Sequence, residues 1–296
     1  MIQKTTHPLI KIIESFPDKL TPKGRVISEY LVENPRKAVF MTARELAEAC
    51  GISEATVIRF VAQLGYNGYS EMQQVLRDYM DTELTLLDRR DLLRQRGDGV
   101  ERFRKTVAEE IDNLTYLYQT MQMENLEQAV RMLSEKSHVC VVGSRLSYTT
   151  AYYMGWSLTK VRKNIQILKG SDSTTFDWLT VAPEDSLVVV VATSRYPNEL
   201  VRVGRWVRRK NMDLMLITDG STCPIIPFSQ LSLVAPSRHI PFLGSPTSIS
   251  CLVNYLVHEV ATQIGSSVKD HQEEIERTYL ENDLLFNPTH QKSEIS

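Results

Sequence analysis

The sequence predicts an α+β multidomain chain. It has an N-terminal all-α unit of helix-turn-helix type and a C-terminal α/β unit whose parallel sheet is flanked by helices. Three observations predict this. Up to about residue 80 the chain reads as short helices punctuated by glycine and proline. From His138 onward the runs HVCVV, NIQIL, LVVVVA, DLMLIT and LSLV are short, apolar and rich in β-branched residues, and most are separated by helical stretches. Strands that are apolar throughout, rather than at alternate positions, are buried on both faces, as in a parallel sheet covered by helices. The boundaries expected are a helix-turn-helix unit over 1–83, a helical linker over 84–124, the α/β unit over 125–266, and a helix with a loose tail over 267–296.

Taken in order, Thr21-Pro22 opens the first helix, because Thr is a good N-cap and Pro is tolerated at the first helical position. Val26, Ile27, Tyr30 and Leu31 form its apolar stripe, and it ends before Pro35. Residues 42–65 read TARELAEACGISEATVIRFVAQLG. Thr42 and Glu45 have the spacing of a capping box, and Leu46 and Ala47 face the core. Gly51 supplies positive φ for a sharp turn, Ile52 plugs the angle between the helices, Ser53 caps a second helix and Gly65 ends it. The linker is split at Gly97-Asp98-Gly99. In the α/β half the last strong helix begins near Thr247 and carries Ile249, Leu252, Val253, Leu256 and Val260; a polar helix over 268–282 follows Gly265.

Charge and composition exclude several classes. Lys plus Arg number 34 against 36 Asp plus Glu, a net charge of −2, so nucleic acid would have to be bound by a local surface and not by bulk attraction. Cys50, Cys140, Cys223 and Cys251 lie far apart with no CxxC pair, which argues against a zinc site or a disulfide framework and suits a reducing cytoplasm. The start, MIQKTTHPLI, has no apolar signal core, and the longest strongly apolar run, Leu187 to Ala192, is far too short for a membrane span. A cytoplasmic protein without a membrane role or a cofactor is expected.

On the second helix of the motif, Val57, Phe60, Val61 and Leu64 face inward. At 100° per residue Ala55, Thr56, Arg59, Ala62 and Gln63 then point outward. That outward face suits a helix that reads double-stranded DNA. Arg59 pairs bidentately with guanine or holds a phosphate, Thr56 and Ser53 bond a phosphate or a base edge, and Ala55 allows close approach to a thymine methyl. Gln63 extends the same face. Arg44, with Lys23, Lys37 and Arg77, supplies phosphate contacts if folding gathers them. The alternative is an αα-hairpin with an ordinary solvated face, and Glu54 on the helix weighs on that side.

The strand ends hold a second constellation. Gly143-Ser144-Arg145-Leu146-Ser147 follows the first strand, Thr193-Ser194-Arg195-Tyr196-Pro197-Asn198 the third, and Thr218-Asp219-Gly220-Ser221 the fourth. Ligands of open α/β sheets sit at the carboxyl ends of strands, so these loops form a candidate anion site. The competing reading is that the hydroxyls are helix caps.

Two stretches are similar to one known family. MTARELAEACGISEATVIRFVAQLGYNGYSEMQ resembles the N-terminal domain of the RpiR family of bacterial transcriptional regulators, through LAEA-x-G-[IV]-S-E-A-T-V-x-R-F and the LGY-x-GYSE segment. The resemblance assigns DNA contacts to Ser53, Thr56 and Arg59. The strand-end loops over residues 125–265 resemble the SIS (sugar isomerase) domain that is the usual second half of these regulators. This implies a phosphosugar or sugar-acid-like effector, held by Gly143, Ser144, Arg145, Ser147, Thr193, Ser194, Arg195 and Thr218, and a homodimer or homotetramer.

The departures from that pattern carry information. Arg145 stands where the first loop, G-x-G-x-S, has its second glycine. In the second loop, S-x-S-G-x-T, Ala192 replaces the first serine, Arg195 the glycine and Pro197 the threonine. Two arginines suit a clamp on phosphate or carboxylate, or equally ion pairs to Asp172, Asp177 or Glu199 that hold the loops shut. No enzyme is expected. The alternative, a sugar-phosphate isomerase or binding enzyme with an accessory helical domain, needs a general base. The adjacent pair His258-Glu259 diverges by 100° on its helix, and His239 is a lone loop histidine.

Overall fold

The computed structural model describes residues 20–39, 41–73, 75–76, 99–193, 195–237 and 244–285. Arg77, the expected linker up to residue 98, Ser194, His239 and the tail beyond 285 lie outside the described residues. The chain divides into two compact units: the first runs to Glu109 and takes in Gly220–Thr222 and Gly244, the second holds the other described residues from Glu110 on, and the helix over 99–120 is shared between them.

The first unit is helical. Helix α1 spans Pro22–Glu33, and the Thr21 side chain accepts a hydrogen bond from the Gly24 N–H at 3.1 Å. Ile27 and Leu31 are buried together with Gly24 and Ser28, while Tyr30 is half-buried and Val26 is exposed. The expected four-residue stripe is therefore narrower. The face that meets the core is the one carrying Gly24, Ile27, Ser28 and Leu31, and Val26 lies outside it. Helix α2 spans Pro35–Ala38. Helix α3, Ala43–Ala49, opens on the expected capping box: the Glu45 N–H donates to Thr42 Oγ1 at 3.2 Å and the Thr42 N–H donates to Glu45 Oε2 at 2.7 Å. Donation from the Thr42 N–H and from the Thr42 hydroxyl, the latter at 2.9 Å, holds the Glu45 carboxyl below the usual range. Gly51 has φ +65°, turning the chain into helix α4, Glu54–Gln63, and Gly65 has φ +92° just past its end. Leu46, Ala47, Val57, Phe60, Val61 and Leu64 all enter one core with Ile27, Leu31, Met72 and Leu76.

The second unit holds the sheet. Helix α5 spans Gly99–Thr120 and helix α6 Met123–Glu135, a division at Met121-Gln122 that the sequence patterning did not signal. There follow β1 His138–Gly143, α7 Leu146–Leu158, β2 Ile165–Lys169, α8 Thr175–Val181, β3 Ser186–Ala192, α9 Asn198–Arg209, β4 Asp213–Thr218, β5 Leu231–Val234, α10 Thr247–Ile264 and α11 Ser266–Glu281. All five expected strands form, every pairing is parallel, and their order is β2-β1-β3-β4-β5. Alternate residues of β1 serve opposite layers. Val139 and Val141 pack with Met154 of α7, Leu133 of α6 and Leu252 of α10; Cys140 and Val142 pack with Leu200 and Val203 of α9 and Leu179 of α8. Burial on both faces is why the strands lack polar alternation.

The four cysteines are free. Burial pushes the Cys140 thiol up to about 12 and also raises Cys50 and Cys223, whereas Cys251 is exposed. The thiolate is the nucleophile, so brief alkylation of the native protein is expected to modify Cys251 first and the half-buried Cys50 more slowly, with Cys140 and Cys223 following only on unfolding. Rapid native labelling of Cys140, read by mass spectrometry, would contradict this packing.

Candidate functional site

Helix α4 and its surroundings form the first candidate surface. Ser53, Ala55, Arg59, Ala62 and Gln63 are exposed as expected. Thr56 is not: it is only 8% exposed. It lies one turn before Phe60, on the side where the start of α1 packs, and a Cβ on Gly24 would stand 3.4 Å from the Phe60 ring. Its hydroxyl is shared between Ser53 Oγ at 2.9 Å and Arg59 Nη2 at 3.4 Å. Thr56 therefore positions Arg59 through its hydroxyl and lies at the edge of the exposed face, not on it. Ser53 occupies the N-cap position, yet its hydroxyl bonds Thr56 and caps no backbone N–H. Arg44 on α3 pairs with Glu48 at 3.1 Å, both ends well exposed. Such an i,i+4 pair is worth a few tenths of a kcal/mol and yields readily to a phosphate. A concave pocket of about 750 Å³ brings Thr56, Arg59, Phe60 and Gln63 together with Thr21, Pro22 and Lys23. Of the basic residues expected to need gathering, Lys23 is the one placed beside Arg59. No local spacing could have paired them.

The second candidate is the crevice between β1 and β3, where the strand order reverses and successive loops splay apart. Gly143 ends β1 in register with Val191 of β3. A Cβ there would lie 2.6 Å from the Ala151 Cβ and 2.7 Å from the Ser147 carbonyl oxygen, so its glycine serves the close seating of α7 on β1. The hydroxyls expected to cradle an anion are largely engaged with protein. Ser144 is fully buried and donates to Glu199 Oε1 at 2.6 Å. Ser147 Oγ accepts the Thr193 N–H at 3.0 Å and lies 2.9 Å from Thr193 Oγ1, tying the two loops together. Thr218 is fully buried; its hydroxyl has no nitrogen or oxygen partner, and its polar neighbour is the Cys223 thiol. Ser144, Ser147 and Thr193 thus tie the loops together, as buried hydroxyls are normally paired, and Thr218 packs at its strand end.

Two cations stand exposed beside the crevice. Arg145 and Arg195 both project to solvent. Both have positive φ: 54° with ψ −127° at Arg145, and 60° at Arg195. Neither forms an ion pair with Asp172, Asp177 or Glu199 among the described residues. Asp172 instead accepts from the Thr174 N–H and hydroxyl, each at 2.9 Å.

Glu199, in the first turn of α9, was legible only as a possible ion-pair partner. The Ser144 hydroxyl, its own backbone N–H, and the charges of Arg202 and Arg145 hold its carboxyl below the usual range. A group whose folded value is depressed adds stability that is present above the unfolded value and lost as pH falls through the folded one. Glu199→Gln is therefore expected to lower the melting temperature at neutral pH and to flatten its decline between about pH 5 and about pH 3. An unchanged acid limb would show that the bond contributes nothing. His258 is exposed and Glu259 half-buried on α10, outside these loops. Among the described residues no group of three or more His, Cys, Asp or Glu is arranged to hold a metal, and no helix is long and apolar enough to cross a membrane.

Comparison with known proteins agrees with this geometry. The helix-turn-helix domain of the rpiR family matches residues 8–83 and the SIS domain matches residues 132–260. The chain is 24% identical to the HTH-type transcriptional regulator HexR of Pseudomonas aeruginosa over 230 residues, 77% of this chain and 79% of that one. It is 21% identical over 252 residues to the uncharacterized HTH-type transcriptional regulator YbbH of Bacillus subtilis, covering 85% and 88%. Among solved structures, the sugar isomerase domain of an RpiR transcription factor from Sphaerobacter thermophilus superimposes with TM-score 0.56 at 25% identity, covering 58% of this chain and 97% of that one. Vibrio vulnificus NanR complexed with ManNAc-6P shares the fold over 94% of this chain and 99% of its own, with TM-score 0.58 at 20% identity.

Proposed function

Since the chain belongs to the RpiR family of transcriptional regulators, an rpiR-type helix-turn-helix domain joined to a SIS domain, we propose that a small anionic metabolite held by Arg145 and Arg195 modulates its hold on duplex DNA. The observation that carries the effector half is the pair of exposed arginines with positive φ flanking the β1–β3 crevice. A non-glycine residue with positive φ is costly, and such strain concentrates at ligand sites. Both arginines stand where the SIS pattern has glycine, so the backbone shape is kept and a guanidinium is added. Two guanidinium forks match a phosphate or carboxylate, and they offset the Glu199 charge that would otherwise repel it. NanR, which shares the fold, is seen with a phosphosugar, and this supports a phosphorylated or carboxylated sugar as the ligand class.

In the DNA half, Arg59, Ala55, Ser53 and Gln63 present the exposed face of α4 to the major groove, with Arg44 reaching a flanking phosphate. The protein acts in the cytoplasm as a homo-oligomer. Phe103, Val107 and Ile111 form an exposed apolar stripe on α5 that suits a second copy of the chain. Catalysis has little support: Glu199 is held ionised by its donors and makes a weak base, and His258 lies outside the crevice loops.

Two assays test this. Duplexes selected from a random library are expected to be retained in gel shifts, with retention falling steeply as salt rises; if no duplex is retained at low salt, the DNA half fails. Thermal shift against sugar phosphates and sugar acids is expected to find a stabiliser, a ligand at about 100 times its Kd adding roughly 2.7 kcal/mol. Turnover of ketose or aldose phosphates by the same preparation would favour an isomerase instead.

A further inference from the structure

We infer that the pocket between the start of α1 and helix α4 holds one phosphate of the DNA backbone between Lys23 and Arg59, so that Lys23 is a further DNA-contacting residue and Arg59 grips the backbone and does not read a base. This rests on the DNA-binding function proposed above.

Among the described residues the lining contains two cations and no carboxylate. Neither Lys23 nor Arg59 has an ion-pair partner among the described residues. Arg59 is steered by its Nη2 donating to the Thr56 hydroxyl at 3.4 Å, which is in turn held by Ser53 Oγ at 2.9 Å. Thr56 is buried and Phe60 is 2% exposed, so they form a packed floor, while Lys23 and Arg59 are both exposed above it and open to an incoming strand. Two like charges across one hollow repel each other until an anion enters between them.

The pocket volume of about 750 Å³ far exceeds a lone oxyanion and accommodates a phosphodiester with part of its sugar. The hollow includes Arg59 and Gln63, both on the exposed face of α4, so a strand lying along that face delivers its phosphate there. A guanidinium tethered over the hollow can fork onto two phosphate oxygens, with the Lys23 ammonium as a point charge on the other side.

The test uses the full chain, its Lys23→Ala, Lys23→Arg and Arg59→Ala variants, and the double alanine variant. Affinity is measured for a selected duplex and for a scrambled duplex of equal length, across a salt series. Each single alanine variant is expected to weaken both duplexes alike, by about tenfold, and to make the log–log salt slope shallower by about one. Lys23→Arg restores most of the loss. The double variant loses less than the two singles combined, because both side chains serve one phosphate.

Unchanged affinity in Lys23→Ala would overturn the inference while leaving DNA binding by α4 intact. So would Arg59→Ala changing preference at one base position while the scrambled duplex binds as before. Failure of the unsubstituted chain to bind any duplex would instead sink the functional reading itself. A last arm uses inorganic phosphate. If it raises the melting temperature of the unsubstituted chain but not of Lys23→Ala, while duplex affinities stay equal, the pocket is a free-anion site and the backbone assignment is wrong.

Discussion

Replacing Arg145 and Arg195 together by glycine is expected to abolish the effector-induced thermal shift and, at the same time, to raise the melting temperature of the unliganded protein. The two effects have separate causes. A charge-assisted hydrogen bond is worth about 1.5–3 kcal/mol, so removing both guanidinium groups costs the ligand roughly a hundredfold or more in affinity. The backbone responds in the opposite direction. Arg145 at φ 54°, ψ −127° occupies a region that glycine favours, and Arg195 also has positive φ. Relief of about 1–2 kcal/mol at each site exceeds the roughly 0.5–1 kcal/mol of extra chain entropy that each glycine adds to the unfolded state. The net gain is about 1–2 kcal/mol, a few degrees in a unit of this size. Calorimetry with and without the effector reads both signs. If the glycine variant melts lower than the parent, the arginines were stabilising contacts. If it keeps its ligand shift, they were not the clamp. The DNA affinity of the unliganded protein is expected to be unchanged.

Gly143→Ala is expected to destabilise the α/β unit by about 3 kcal/mol, at the upper end of the usual overpacking cost. The new methyl would stand 2.6 Å from the Ala151 Cβ, 2.7 Å from the Ser147 carbonyl oxygen and 2.9 Å from the Ser147 carbonyl carbon. Two of those three atoms are backbone in the first turn of α7, so no side-chain rotation relieves the clash and the helix must lift off β1. Lifting it strains the Ser147–Thr193 bonds that join the two crevice loops. The substitution thus lowers stability and loosens the ligand site together. Gly68→Ala is the control: its added Cβ meets nothing within 4 Å, and no change in melting is expected. A Gly143→Ala protein melting with the parent would refute the close seating of α7 on β1.

How far these sites were legible beforehand follows from the range of the interactions. The Thr42–Glu45 capping box, the Gly51 turn and the end of α4 at Gly65 were readable because each is satisfied within about four residues. The misplacement of Thr56 shows where that stops. Helical periodicity put it on the outer face, but α1 packs against that side of α4 and buries it. The same holds in the crevice. Ser144 and Ser147 were recognisable as hydroxyls at a strand end, yet their partners Glu199 and Thr193 lie 55 and 46 residues away. Lys23 and Arg59 carried no sign of sharing a pocket.

From residue order alone came the helix ends of the N-terminal motif, the five β-branched strands, their parallel run and the two domain types, since capping, hydrophobic period and strand burial are all written into neighbouring positions. Folding in three dimensions settled the strand order β2-β1-β3-β4-β5, the engagement of Ser144, Ser147 and Thr193 in internal bonds, the burial of Thr218, and the exposure of Arg145 and Arg195 beside the crevice. The reason is that a polar side chain is available to a ligand only after every nearer partner has been counted, and those partners are assembled by contacts between distant parts of the chain.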